Sequence, residues 1–237
     1  MKILISLTLC LMLPAIAAAQ AVSNATKDAI LHVIAHEMGH ALIREFDLPI
    51  LGPEEDMADD FATLWIHRTF PDRAADILTA RALEHMSDPQ QPGVFSEYRN
   101  DAQRAGRSIC LAYGIAPDMY RGLAGQFEMS GDDAARCQDW GPEVARSWRR
   151  VWTPLLIPND APVTELGSFV DGSDYMQQFA ASGVLDDALM MLAQIDWHSR
   201  ITLNLAQCDG TAGWSRNGRR ITVCEAYIRR FDQVLGD

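Results

Sequence analysis

The chain has 237 residues, 48% of them hydrophobic, with a formal net charge of −12 and a pI near 4.8. That acidity argues against a nucleic-acid partner or an anionic membrane surface, since both are bound through basic patches. Size and hydrophobic share suit one globular domain, and no repeat or low-complexity stretch divides it.

Residues 1–19 read as an export signal. Lys2 supplies the positive start, Ile3 to Leu13 the apolar run, and Pro14 its end. Ala17-Ala18-Ala19 is a small-residue cleavage site, with a second after Ala21. The run is too short for a permanent membrane anchor. Residues 20–237 are expected to form a single domain, periplasmic or secreted. Cys110, Cys137, Cys208 and Cys224 remain in it, an even set that in an exported protein points to two disulfides. Three pairings are possible, and nearness in sequence favours Cys110–Cys137 with Cys208–Cys224. No CxxC spacing supports a four-cysteine zinc site.

In chain order, helical spacing of Ile30, Val33, Ile34, Met38, Ala41 and Leu42 predicts a first helix over 26–46, capped by Asn24 or Thr26. Pro53 suits the first turn of a second helix reaching Phe70, and the acids that follow it complement the helix dipole. Met57, Phe61, Leu64 and Trp65 give that helix its buried stripe. A third helix is expected over 72–86, a loop over 87–96, and helices over 97–113, 117–128, 131–138, 141–151 and 173–195. Trp140, Trp148 and Trp152 are helix-spaced and read as core. Pro154 to Gly172 carries few helical signals. Arg200 to Ala206 is rich in β-formers, Asn217-Gly218 is a turn signal, and Arg220 to Cys224 reads as a return strand. The expected class is α+β, predominantly α-helical, with a small C-terminal β-hairpin element.

The densest chemistry lies at His36-Glu37-Met38-Gly39-His40. On a helix the two histidines stand one turn apart on one face, with Glu37 about a quarter turn round. Two neutral imidazoles so placed can hold zinc, while the glutamate takes a proton from the metal's water as it attacks a carbonyl. A metzincin-type third ligand is excluded, because Ile43 and Phe46 occupy the positions it requires. Glu55 supplies the alternative, and Asp59, one turn later, can accept from the outer nitrogen of a ligating histidine. Away from the histidine motif this acidic run would read as a solvated helix start. Glu54 is the fallback ligand, and Asp56 and Asp60 are expected to face solvent. His32 reads as a rim or packing residue. Positions i and i+8 lie about 12 Å apart on a helix, too far for His32 and His40 to share one ion. His85, Tyr98, Arg104, Tyr113 and His198 are the possible donors to a developing oxyanion.

Four blocks together carry a resemblance. They are HEMGHALI; Leu48 to Thr63 with its Glu-x-x-Ala-Asp element; Gln103-Arg104 ahead of Cys110-x-x-Tyr113-Gly114; and Arg220 to Glu225 after Cys208-Asp209-Gly210. The chain resembles a bacterial family of exported candidate zinc metallopeptidases catalogued as a domain of unknown function. Its Glu-x-x-Ala-Asp element is similar to that of gluzincin peptidases. The resemblance implies a zincin-like helical core and one zinc per chain held by His36, His40 and Glu55. It implies Glu37 as catalytic base, Asp59 behind the ligands, and hydrolysis of a peptide or protein substrate. It puts Arg104 and Tyr98 first among the oxyanion donors. The chain departs from the pattern at Trp214, where the family has Asn-Ala-aromatic between the last two cysteines. Few residues precede the His36 helix, so the edge strand that aligns substrate in zincins is expected from Ile221 to Cys224, pinned by Cys208–Cys224. The rival reading is a catalytically inactive exported zinc-binding module.

Overall fold

The computed structural model describes residues 22–87, 96, 99–158 and 165–236. The expected export signal and Tyr98 lie outside the described residues.

The first helix, α1 (Asn24–Glu45), is the axis of the fold. Its cap is Ser23, whose side chain accepts from the Thr26 N–H, rather than Asn24 or Thr26 themselves. From Ala29 to Ile43 every residue except His40 is buried, as expected of a helix covered on all sides. Helix α2 (Glu54–Thr69) follows Pro53, which is the cap and not the first helical residue, and folds back against α1. Gly39 makes that approach possible: a Cβ there would lie 3.0 Å from the Ala58 Cα.

Helices α3 (Ala74–Ser87), α4 (Asp101–Ile115), α5 (Pro117–Gln126) and α6 (Gly131–Trp152) complete the main helical layer. The two segments expected at 131–138 and 141–151 are one helix that carries Pro142 in its interior. Packing overrides the proline there. Gly141 sits against Gly114 of α4, and a Cβ on Gly114 would lie 2.1 Å from the Cys137 carbonyl oxygen. The Cys110–Cys137 disulfide fastens the same crossing. Trp148 and Trp152 pack against Phe61 and Trp65 in the core, while Trp140 lies under the Arg107 guanidinium.

Beyond a 3-10 turn at Thr153–Leu155 come β1 (Gly167–Val170), α7 (Asp174–Phe179) and α8 (Leu185–Leu192). Then follow β2 (Thr202–Ala206), β3 (Ala212–Ser215), β4 (Arg220–Cys224) and α9 (Glu225–Leu235). The helix expected over 173–195 is broken by a π turn at Ala180–Val184, where Gly183 takes φ 95°. Such a value suits glycine and disrupts helical geometry. Strand β1 and helix α9 have no counterpart in the sequence reading.

The sheet order is β1-β2-β4-β3. β1 and β4 run parallel to β2, and β3 runs antiparallel to β4 with Trp214 opposite Ile221. Leu203, Leu205, Ile221 and Val223 alternate inward and are fully buried. The strand Ile221–Cys224 is therefore interior, between β2 and β3, and the edge strands are β1 and β3. The hairpin turn spans 216–219, with Arg219 rather than Gly218 in the left-handed region (φ 45°). Cys208–Cys224 ties the start of that hairpin to β4. Both disulfides fit an oxidising compartment. Among the described residues no helix is long and apolar enough to cross a membrane.

Candidate metal centre

The Gly39–Ala58 contact sets α1 and α2 close together, with His36 and His40 on one side and Glu55 and Asp59 facing them. His36 Nε2 and His40 Nε2 stand 3.1 Å apart. Glu55 presents Oε2 to His36 at 3.2 Å and Oε1 to His40 at 3.3 Å. Taking one donor atom from each residue, all three lie within 4.8 Å of one another. Tetrahedral bonds of about 2.0 Å from nitrogen or oxygen to zinc put neighbouring donors about 3.3 Å apart, so the spacing is of the right size.

The outer nitrogens decide what faces inward. His40 Nδ1 lies 2.8 Å from Glu54 Oε1. His36 Nδ1 lies 2.8 Å from Asp59 Oδ1, a close but bent contact rather than a straight hydrogen bond. Opposite carboxylates, both Nδ1 atoms carry a proton, so each ring, when neutral, turns its Nε2 lone pair towards the other. Glu55 Oε2 is buried beside them and accepts no hydrogen bond. Two lone pairs and an orphaned carboxylate oxygen around one point call for a cation.

In the metal-free chain a proton answers that demand. Burial opposes charge on His36, but Asp59 and then Glu55 outweigh it and raise the imidazole to about 9. Burial also works against charge on Glu55, and the nearby His36 and His40 imidazoles overcome it, holding the carboxyl below its usual range. A raised histidine stabilises the fold fully below its unfolded value of about 6.5, and that stability is lost as pH rises through the folded value. The melting temperature of the metal-free chain is therefore expected to fall between about pH 6.5 and 9, and zinc to remove the decline. A flat metal-free profile would contradict this arrangement of charges.

Three arginines lock α2 in register. Arg104 donates from Nε and Nη2 to the two Asp59 oxygens, each at 2.8 Å. Arg107 clamps Asp60 in the same way, and Arg99 pairs with Asp56. Asp56 and Asp60 are thus buried and paired, not solvent-facing. Glu54 is taken by Arg44 and His40, so it holds the His40 ring from behind and leaves the inward position to Glu55. Arg104 lines the cleft, but two of its nitrogens are committed to Asp59. His32 is fully buried with neither ring nitrogen hydrogen-bonded, a packing residue and not a rim residue. His85 pairs with Asp101, Tyr113 packs against the core, and His198 packs on Phe46. None of the three lines the cleft.

The cleft above the site holds about 500 Å³. Glu37 lines it and, among the described residues, makes no hydrogen bond to the protein. The opposite wall is Thr211 to Trp214, largely β3, together with Arg216 and Tyr227. Both strands of the C-terminal hairpin flank the histidine helix, but β3, and not Ile221–Cys224, lines the cleft. Trp214, where the family-like pattern breaks, sits in that wall, and its indole nitrogen is buried without an acceptor.

A family model described as "Putative metallopeptidase" matches residues 14–152, more than half of the chain. The chain belongs to this metallopeptidase family. No curated protein matches it, and no solved structure does. The family match contains α1, α2 and the arginines that hold them, hence every residue of the His36–His40–Glu55 cluster. It ends at Trp152, so β3 and Tyr227 come from beyond it. Sequence reasoning missed Tyr227 and Arg81, which also lines the cleft. The spacing of Ile228, Phe231 and Leu235 was the available signal for α9 and so for Tyr227.

Proposed function

We propose that the chain is an exported zinc peptidase of gluzincin type, with His36, His40 and Glu55 as ligands and Glu37 as base. One observation carries this reading: two inward-facing imidazole nitrogens and an orphaned Glu55 oxygen converge at the floor of a cleft that Glu37 shares. The donor set, two neutral imidazoles and one carboxylate, is that of catalytic zinc sites and leaves room for a fourth ligand. Bound there, zinc would acidify a water molecule and polarise the scissile carbonyl.

The chain's own groups supply the rest. Glu37 takes the proton of the attacking water and passes it to the leaving amine. Asp59 and Glu54 orient the two imidazoles from behind, and Arg104 and Arg44 hold those carboxylates in turn. Arg104 is assigned to that positioning task. The exposed edge of β3 borders the cleft and can pair with an extended peptide.

Removing the metal tests the reading. A strong chelator is expected to abolish cleavage in a peptide-library assay, and one equivalent of zinc to restore it. Cleavage that persists in chelated, metal-free protein would overturn the proposal.

A further inference from the structure

The part of the cleft wall that α3 supplies is built differently from the rest. Arg81 of α3 lines it and is only 6% exposed. One guanidinium nitrogen, Nη1, is bonded to Glu84, but Nε is buried and finds no acceptor. Glu84 does not neutralise Arg81 alone, because its other oxygen accepts from Arg230 at 2.7 Å. Two guanidinium groups thus share one carboxylate, Arg230 from the surface and Arg81 from the cleft wall. Tyr227 of α9 lines the same cleft, and its hydroxyl has no hydrogen bond among the described residues. The Arg81 guanidinium also lies 5.6 Å from the Phe231 ring centre, which helps to fix its position.

A buried, under-satisfied guanidinium is expensive unless something supplies an acceptor. In a protein of net charge −12 its placement facing a peptide-sized cleft is informative. We infer that Arg81, assisted by Tyr227, forms a carboxylate-binding subsite that selects substrates by a negative group close to the scissile bond. A carboxylate matches the planar guanidinium and accepts from a phenol. It can be the side chain of an acidic residue or the terminal carboxylate of the peptide. This inference rests on the peptidase reading and adds a substrate class to it.

The test is equilibrium binding to the zinc-loaded Glu37→Gln chain, which needs no turnover, with cleavage by the native chain measured in parallel. One peptide set is blocked at both ends and carries a single Glu or a matched Gln. A second contains no acid and ends in a free carboxylate or an amide. One set is expected to bind at least tenfold more tightly in its carboxylate form, and which set it is identifies the source of the group. Arg81→Gln in the same background is expected to bring that ratio close to one, and Tyr227→Phe to lower it two- to fivefold. A ratio near one in the Glu37→Gln chain overturns the inference, as does a ratio that survives Arg81→Gln in protein with an unchanged melting temperature. Should Arg81→Gln fail to fold, Arg81→Lys decides, because an ammonium keeps the charge without the fork. It must cut the ratio at least threefold or the inference fails. Arg81-dependent binding with no cleavage by the native chain supports the subsite and counts against the peptidase reading alone.

Discussion

Glu37→Gln is expected to lower the rate of peptide cleavage by about 10²–10⁴-fold while zinc content stays at one per chain, the range associated with loss of a positioned general base. The substitution keeps the size and shape of the side chain and removes its ability to take a proton. Glu37 lines the cleft, adjoins His36 and, among the described residues, has no hydrogen-bond partner to lose. His36, His40 and Glu55, the Asp59–Arg104 clamp and the β3 wall are untouched, so KM is expected to change little. Cleavage assays on purified protein, with elemental analysis of the same samples, check both halves. A rate within tenfold of the native chain would remove Glu37 from the role of base. Loss of zinc would show that it holds the site together instead.

Asp59→Ala is expected to have the largest effect on stability. Asp59 is 3% exposed and serves two cations, Arg104 through two hydrogen bonds and His36 through its outer nitrogen. Burial alone would raise its pKa, but His36 and then Arg104 reverse that and hold the carboxyl well below its usual range. A depressed carboxyl stabilises the fold above its unfolded value of about 3.9 and loses that effect only as pH falls through the lower folded value. The contribution is therefore intact at neutral and mildly acid pH. Removing the carboxylate strands a buried guanidinium, a loss of about 3–5 kcal/mol, and lets the His36 ring turn. Zinc affinity is expected to fall about 10- to 100-fold as the orienting partner disappears. Chemical denaturation and competitive zinc titration measure the two effects. A variant with native stability would show that Arg104 finds another partner and that the clamp is dispensable.

The parts of the site that lay on two helices were legible because helix geometry is local. The spacing of His36 and His40 fixed a shared face, and the spacing of Glu55 and Asp59 fixed a second one. The Gly39–Ala58 contact and the arginines that clamp α2 bring the two faces together. Nearness of the cysteines gave both disulfides for the same reason. What failed was long-range. Asp56 and Asp60 looked solvated because the arginines that bury them, Arg99 and Arg107, lie more than forty residues away. The fourth-strand edge was misplaced because β3 is four residues long, carries Gly213, and has too little alternation to stand out. The break expected near Pro142 did not occur, because the close contact of Gly114 and Gly141 favours one continuous helix. Arg81 is unremarkable in sequence; only the fold turns it towards the cleft and gives its partner Glu84 a second arginine.

Zinc per chain, measured by elemental analysis on tag-free protein with intact disulfides and on Glu55→Ala beside it, addresses the metal centre at its root. One zinc in the native chain, lost or held far more weakly in the variant, is the expected result. Folded protein that takes up no zinc even when metal is supplied, or that keeps it unchanged without the Glu55 carboxylate, would contradict the assignment of His36, His40 and Glu55 as its ligands.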